Sequence, residues 1–219
     1  MREGMQESFP GTARRPIIGL MRFACAVLLL VLAVGARAQA PNGVLLVAKP
    51  GMQDARFRET VVLVTQTGGG ETIGVILNRP LKVPLSELLE DPSLARGYQE
   101  PLFYGGPVLG RTLVALLEAD EPPREPAFPV LKGLYLSMHP ALIESLLASG
   151  GRRYRLYGGF AGWAPGQLRG ELERDDWYVV PASPDIVFRA RTEGLWRELV
   201  EKARAERADA GTPRAILAS

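Results

Sequence analysis

From Pro41 onward the sequence predicts a single α+β domain, on three observations. Short β-branched runs recur, each stopped by glycine or proline, as in 43–48, 60–65 and 72–77. Other stretches, at 84–90, 140–148 and 195–208, carry apolar residues at helical spacing. The two kinds interleave without the strand–helix–strand rhythm of a doubly wound sheet, and no internal repeat is present. The chain has 219 residues, 47% of them hydrophobic, which is enough apolar material for a substantial core.

Residues 43–48 form a continuous apolar run, so the predicted strand is buried on both faces and ends at Lys49-Pro50-Gly51. Gly68-Gly69-Gly70 lies between the runs 60–65 and 72–77, which predicts a hairpin. Pro84 opens a short helix over 84–90, with Leu85, Leu88 and Leu89 on one face. Short strands follow at 102–104 and 112–117. The prolines at 122, 123, 126 and 129 make 119–130 a surface loop. A strand is expected at 133–136, then a helix over 140–148 with Leu142, Ile143 and Leu146 inward and Gly150 as its stop. Residues 152–157 alternate as a one-sided strand does, which sets Arg153 and Arg155 together on a solvated face. Gly158-Gly159-Phe160-Ala161-Gly162 reads as a tight strand-to-helix turn whose Trp163 covers a core edge, before a short helix over 167–173. A last strand is predicted at 177–180. Ser183-Pro184-Asp185 supplies an N-cap, a first-turn proline and a first-turn acid. Residues 195–208 form a charged amphipathic helix, and 210–219 a disordered tail.

Residues 1–40 predict a secretory signal peptide. Arg22 precedes the apolar run 23–34, and Ala38-Gln39-Ala40 supplies a cleavage site before Pro41. An uncleaved anchor is the alternative, although the run is short of the roughly 20 residues that span a bilayer. A true start at Met21 is also compatible, with Met21-Arg22 as the n-region. This segment holds five of the 26 basic and two of the 24 acidic residues. From Pro41 on, 21 basic and 22 acidic residues remain, a net charge of −1, which gives no electrostatic case for nucleic-acid binding. The single cysteine, Cys25, leaves with the signal, so thiol chemistry and cysteine zinc sites are excluded, and no metal or other cofactor is expected.

His139, the one histidine, stands before a helix start and is expected to be structural rather than catalytic. The segment 105–112 resembles a phosphate loop, but Arg111 replaces the lysine, Pro107 removes a donor and a strand follows. Asn78-Arg79-Pro80 ends a strand, and Arg79 either pairs with an acid such as Asp185 or faces a ligand carboxylate or phosphate. Asp175-Asp176 lies in a turn before Trp177, with no sign of a buried acid–base pair.

The ordered set 43–50, 54–63, 74–80 (Gly-Val-Ile-Leu-Asn-Arg-Pro), 104–108 (Tyr-Gly-Gly-Pro-Val), 162–168 (Gly-Trp-Ala-Pro-Gly-Gln-Leu), 177–188 and Leu195-Trp196 resembles the YqgE/AlgH family over 41–199. The resemblance implies a compact fold with a bifurcated, partly barrel-like mixed sheet and short flanking helices. It also implies an association with regulation of alginate production, and it brings no cofactor and no catalytic residue. Family members often carry histidines where this chain has Thr65-Gln66-Thr67 and Leu117-Glu118, and they usually lack a signal segment.

The function expected is therefore a non-enzymatic binding or interaction protein, periplasmic or secreted after cleavage near Ala40. Its partner would be an envelope protein or a small ligand, with no nucleic acid and no stable membrane span. The candidate surface comprises Asn78, Arg79, Gly105, Gly106, Trp163, Gln167 and Asp185. The alternatives are a cytoplasmic transcriptional regulator with a misread N-terminus and, less favoured, a hydrolase using Asp54, Asp185 or His139.

Overall fold

A computed structural model describes residues 42–149 and 151–209. The predicted signal peptide, the predicted Gly150 stop and the predicted tail at 210–219 fall outside the described residues. Among the described residues, nine strands form one sheet with the path β6-β7-β5-β8-β3-β2-β1-β9, and β4 lies beside β8 off that path. The strands are β1 (Val44–Ala48), β2 (Val61–Gln66), β3 (Thr72–Ile76), β4 (Phe103–Tyr104), β5 (Val108–Glu118), β6 (Phe128–Leu131), β7 (Leu134–Ser137), β8 (Tyr154–Trp163) and β9 (Trp177–Pro181). The helices are α1 (Pro140–Ser149), α2 (Gln167–Glu173), α3 (Pro184–Val187) and α4 (Leu195–Asp209).

The sheet is α+β in its setting and forks at β8. The first half of β8 pairs with β5 antiparallel and with β4 parallel, while Ala161, Gly162 and Trp163 pair with β3. Gly159, at φ 72°, sits where the strand passes from one set of partners to the other, and a Cβ there would lie 2.8 Å from the carbonyls of Gly106 and Val108. Curling brings the edge strand β6 back toward β1. The Gly43 N–H donates to Val130 O at 2.7 Å, and the Thr65 hydroxyl donates to Pro129 O at 2.9 Å. The sheet stops short of closing into a barrel.

β1 shows why a strand covered on both faces reads as unbroken apolar sequence. Leu45 and Val47 enter one core with Leu63, Val75, Leu116 and Tyr157, covered by Leu195, Leu199 and Val200 of α4. Leu46 and Ala48 enter a second core with Met52, Phe57, Trp163 and Trp177. A third core sits under α1, where Leu142, Ile143 and Leu146 face Ala115, Leu117 and Leu156.

Several expectations are corrected. Residues 128–131 are a strand rather than loop, because Pro129 occupies an edge, where no ladder donor is required of it. Residues 158–163 are strand rather than a strand-to-helix turn, because the glycines answer crowding from β4 and β5 and do not reverse the chain. The 84–90 helix shrinks to a 3₁₀ turn at Leu85–Glu87, followed by a second at Pro92–Gly97 capped by the Asp91 carboxylate on Ser93 N–H. Ser183 holds the N-cap position, but its hydroxyl makes no capping bond.

Arg155 departs furthest from its expected solvated face. Its side chain is 2% exposed, and its Nε donates to Glu100 Oε2 at 2.9 Å. Its two terminal nitrogens donate to Val187 O and Arg189 O, both at 3.1 Å, and its guanidinium stacks over Phe103 at 4.7 Å. Register alone does not reveal this. The end of α3, Arg189 just after it and the Phe103 ring cover this face.

Candidate functional site

Between β1 and β2 lie twelve irregular residues, of which 49–59 form a loop leading to Thr60. Irregular backbone exposes donors and acceptors that must be satisfied somewhere. Here they are satisfied by side chains at the end of β3. Asn78 accepts from Val61 N–H at 2.9 Å and donates to Glu59 O at 2.8 Å. Arg79 donates to Arg56 O and, at 2.8 Å, to Arg58 O. Within the loop, Arg58 reaches back to Met52 O at 3.1 Å, and Asp54 accepts a two-pronged bond from Arg56. This last contact holds the Asp54 carboxyl below its ordinary range. Burial pushes the Arg79 guanidinium below its usual value, and no carboxylate lies in hydrogen-bond contact with it among the described residues.

Phe57 fixes the loop to the body of the protein. Its ring stacks on Trp163 with centroids 5.6 Å apart and meets Trp177 edge-on at the same separation. Each indole N–H donates to the same carboxylate oxygen of Glu171, at 2.9 Å in both cases. Gln167 donates to the other oxygen of Glu171 at 3.3 Å, and it accepts from the Ala164 N–H at 3.2 Å. A carboxylate taking two indole donors and an amide fixes α2 against the aromatic pair.

The loop walls a cleft of about 460 Å³ lined by Lys49, Gly51, Met52, Gln53, Arg58, Glu59 and Trp196. Trp196, at the start of α4, donates to Ala48 O at 2.6 Å, which sets its ring as a wall. Lys49 lies 4.6 Å above the Tyr178 ring and pairs with Asp175, whose carboxyl this partner draws downward. Glu59 sits at φ 55°, a left-handed conformation uncommon for a residue with a side chain, secured by the bond from Asn78 to its carbonyl.

The predicted site residues thus separate into three places. Asn78, Arg79, Trp163 and Gln167 converge behind the loop and build its support. Gly105 and Gly106 are buried against β8, where a Cβ would strike the backbone of residues 159–161. Asp185 is exposed in the first turn of α3 and forms no ion pair with Arg79, whose guanidinium is taken up by loop carbonyls. His139 caps α1 through its carbonyl, and its Nδ1 is buried without a partner among the described residues. Sequence reasoning missed Glu171, Phe57 and Arg58. The available signal was the Gln167–Glu171 spacing on one helix face beside two tryptophans.

Comparison with known proteins agrees with the fold. A family model described as AlgH-like matches residues 45–208. A UPF0301 protein of Thermobifida fusca is 34% identical over 180 residues, covering 78% of this chain and 91% of that protein. A Streptomyces coelicolor relative of the same designation is 35% identical over 177 residues, with 78% and 91% covered. The solution structure of the AlgH protein from Pseudomonas aeruginosa superposes with a TM-score of 0.57 at 25% identity, over 80% of this chain and 94% of that one. A crystal structure of a Corynebacterium diphtheriae protein gives 0.58 at 27% identity, over 79% and 92%. The chain therefore belongs to the AlgH-like family.

Proposed function

We propose that this chain is a non-enzymatic binding protein of the bacterial envelope, and that it takes a small ligand or a partner segment in the cleft walled by loop 49–59 and Trp196. The observation that carries this reading is preorganisation. An irregular loop is held along its second half by Asn78, Arg79 and the Phe57–Trp163–Trp177–Glu171 cluster, and Arg58 ties that half back to Met52 O, so the cleft exists before anything binds. Its wall offers an indole face, the Arg58 guanidinium and the Gln53 amide, which suits a planar or carboxylate-bearing group. Export is supported by the sequence of residues 22–40.

The test expresses the C-terminally tagged chain, fractionates the cells, sequences the N-terminus and compares capture from envelope extract with that of Arg58→Glu. A periplasmic product starting at Pro41, with capture lost in the variant, is the expected result. An uncut cytoplasmic product would overturn export, and unchanged capture by a folded Arg58→Glu would overturn the cleft.

A further inference from the structure

β5 begins with a bulge. Its register to β8 shifts between Val108 and Leu113, and within the shift Leu109 takes φ 46° and is 63% exposed. A leucine held in a left-handed conformation with its side chain in water is unfavourable twice over, in backbone energy and in hydration. Gly110 beside it faces open space. The segment after β3 lies next to this bulge. Leu81 Cδ1 and Gly110 O both approach the same point of β8, 3.7 and 3.3 Å from where Gly158 would carry a Cβ. Two residues beyond Leu81, Val83 is 41% exposed, so two of the three large exposed hydrophobic side chains of the described residues belong to these adjoining segments.

The charge of the same two segments has one sign. Residues 79–84 and 107–112 contain Arg79, Lys82 and Arg111 and no acid, in a domain whose net charge from Pro41 on is −1. Lys82 and Arg111 are both exposed. An apolar tip beside exposed cations, on a domain near neutrality overall, complements a surface that is anionic outside and apolar beneath.

We propose that the β5 bulge and residues 81–83 dock this domain on an anionic lipid surface, Leu109 and Val83 entering the acyl boundary while Lys82 and Arg111 meet lipid phosphates. This docking is independent of the cleft, and it holds the domain at a membrane without a spanning segment.

Vesicle co-sedimentation tests it, with phosphatidylcholine alone against phosphatidylcholine mixed with phosphatidylglycerol. All three cores fall between residues 44 and 203, so the chain from Pro41 carries the whole described core. It lacks the apolar run at 23–34, whose hydrophobic side chains would favour vesicles regardless of the patch, and it is compared with the full chain. The chain from Pro41 should bind only the anionic vesicles and lose them as salt rises. Lys82→Gln and Arg111→Gln should each weaken binding roughly fivefold. Leu109→Gly should weaken it on the order of tenfold, with no loss of thermal stability, because glycine adopts this φ freely. Equal binding to both vesicle types, no binding to either, or a Leu109→Gly variant that binds as the parent does would each overturn the proposal. So would a dimer, seen by sedimentation, that Leu109→Gly abolishes without vesicle binding; the patch would then belong to a second copy.

Discussion

Arg155 and Glu171 do different work with the same chemistry. Arg155 is a buried cation satisfied by one half-exposed carboxylate and two backbone carbonyls. Removing it leaves the buried Val187 carbonyl and the part-buried Arg189 carbonyl without these donors, so Arg155→Met should cost about 3 kcal/mol in urea unfolding. Glu100→Gln keeps an acceptor near the guanidinium and should cost only about 1 kcal/mol. Glu171 gathers two indole donors and the Gln167 amide. Glu171→Ala should leave both indoles unpaired, costing about 2 kcal/mol and changing tryptophan emission in the folded state.

Elements here are fitted together by the absence of side chains at defined points. A Cβ on Gly105 would meet the Gly159 carbonyl, and one on Gly106 the backbone of Phe160 and Ala161. Gly105→Ala must therefore part β4 from β8, at a cost of about 3 kcal/mol or more. Gly51 and Gly166 have positive φ but open surroundings, so alanine there should cost only about 1 kcal/mol. Thermal unfolding of the three variants separates Gly105→Ala from the other two, and equal losses would contradict the close-packing account. The loop 49–59 behaves as an element in its own right. Arg79→Met removes the donors to Arg56 O and Arg58 O, and amide exchange should rise across 54–60 while that of β1 and β2 stays slow.

Over the whole molecule, acid should destabilise in a defined window. Asp54, Asp175 and Glu198 are all held below their ordinary range, chiefly by hydrogen bonds from Arg56, Lys49 and Arg189 respectively. The unfolded chain, with ordinary carboxylates, binds protons first as pH falls, so stability is complete above about pH 5 and declines below it. These groups are largely solvent-exposed, so the decline should be shallow and weaker in high salt. Urea midpoints between about pH 7 and pH 3 would show it, and Asp175→Asn should remove part of the slope.

The sequence by itself determined the α+β class, most strands, the two long helices and the family, because period and turn residues are local properties. Buried β1 was legible from its unbroken apolar run, and the β2–β3 hairpin from its three glycines. Asn78, Arg79, Trp163 and Gln167 were legible as special residues, but not as the support of a loop, since their partners at 56–61 and 171 come from other segments of the chain. Only the tertiary structure decided that Arg155 is buried, that Pro129 lies in an edge strand, that the glycines of 105–106 and 158–159 face one another, and that Leu109 protrudes beside residues 81–83. Each of these depends on which distant segment covers a position. Periodicity reports that a side chain has a face, whereas packing determines what that face meets.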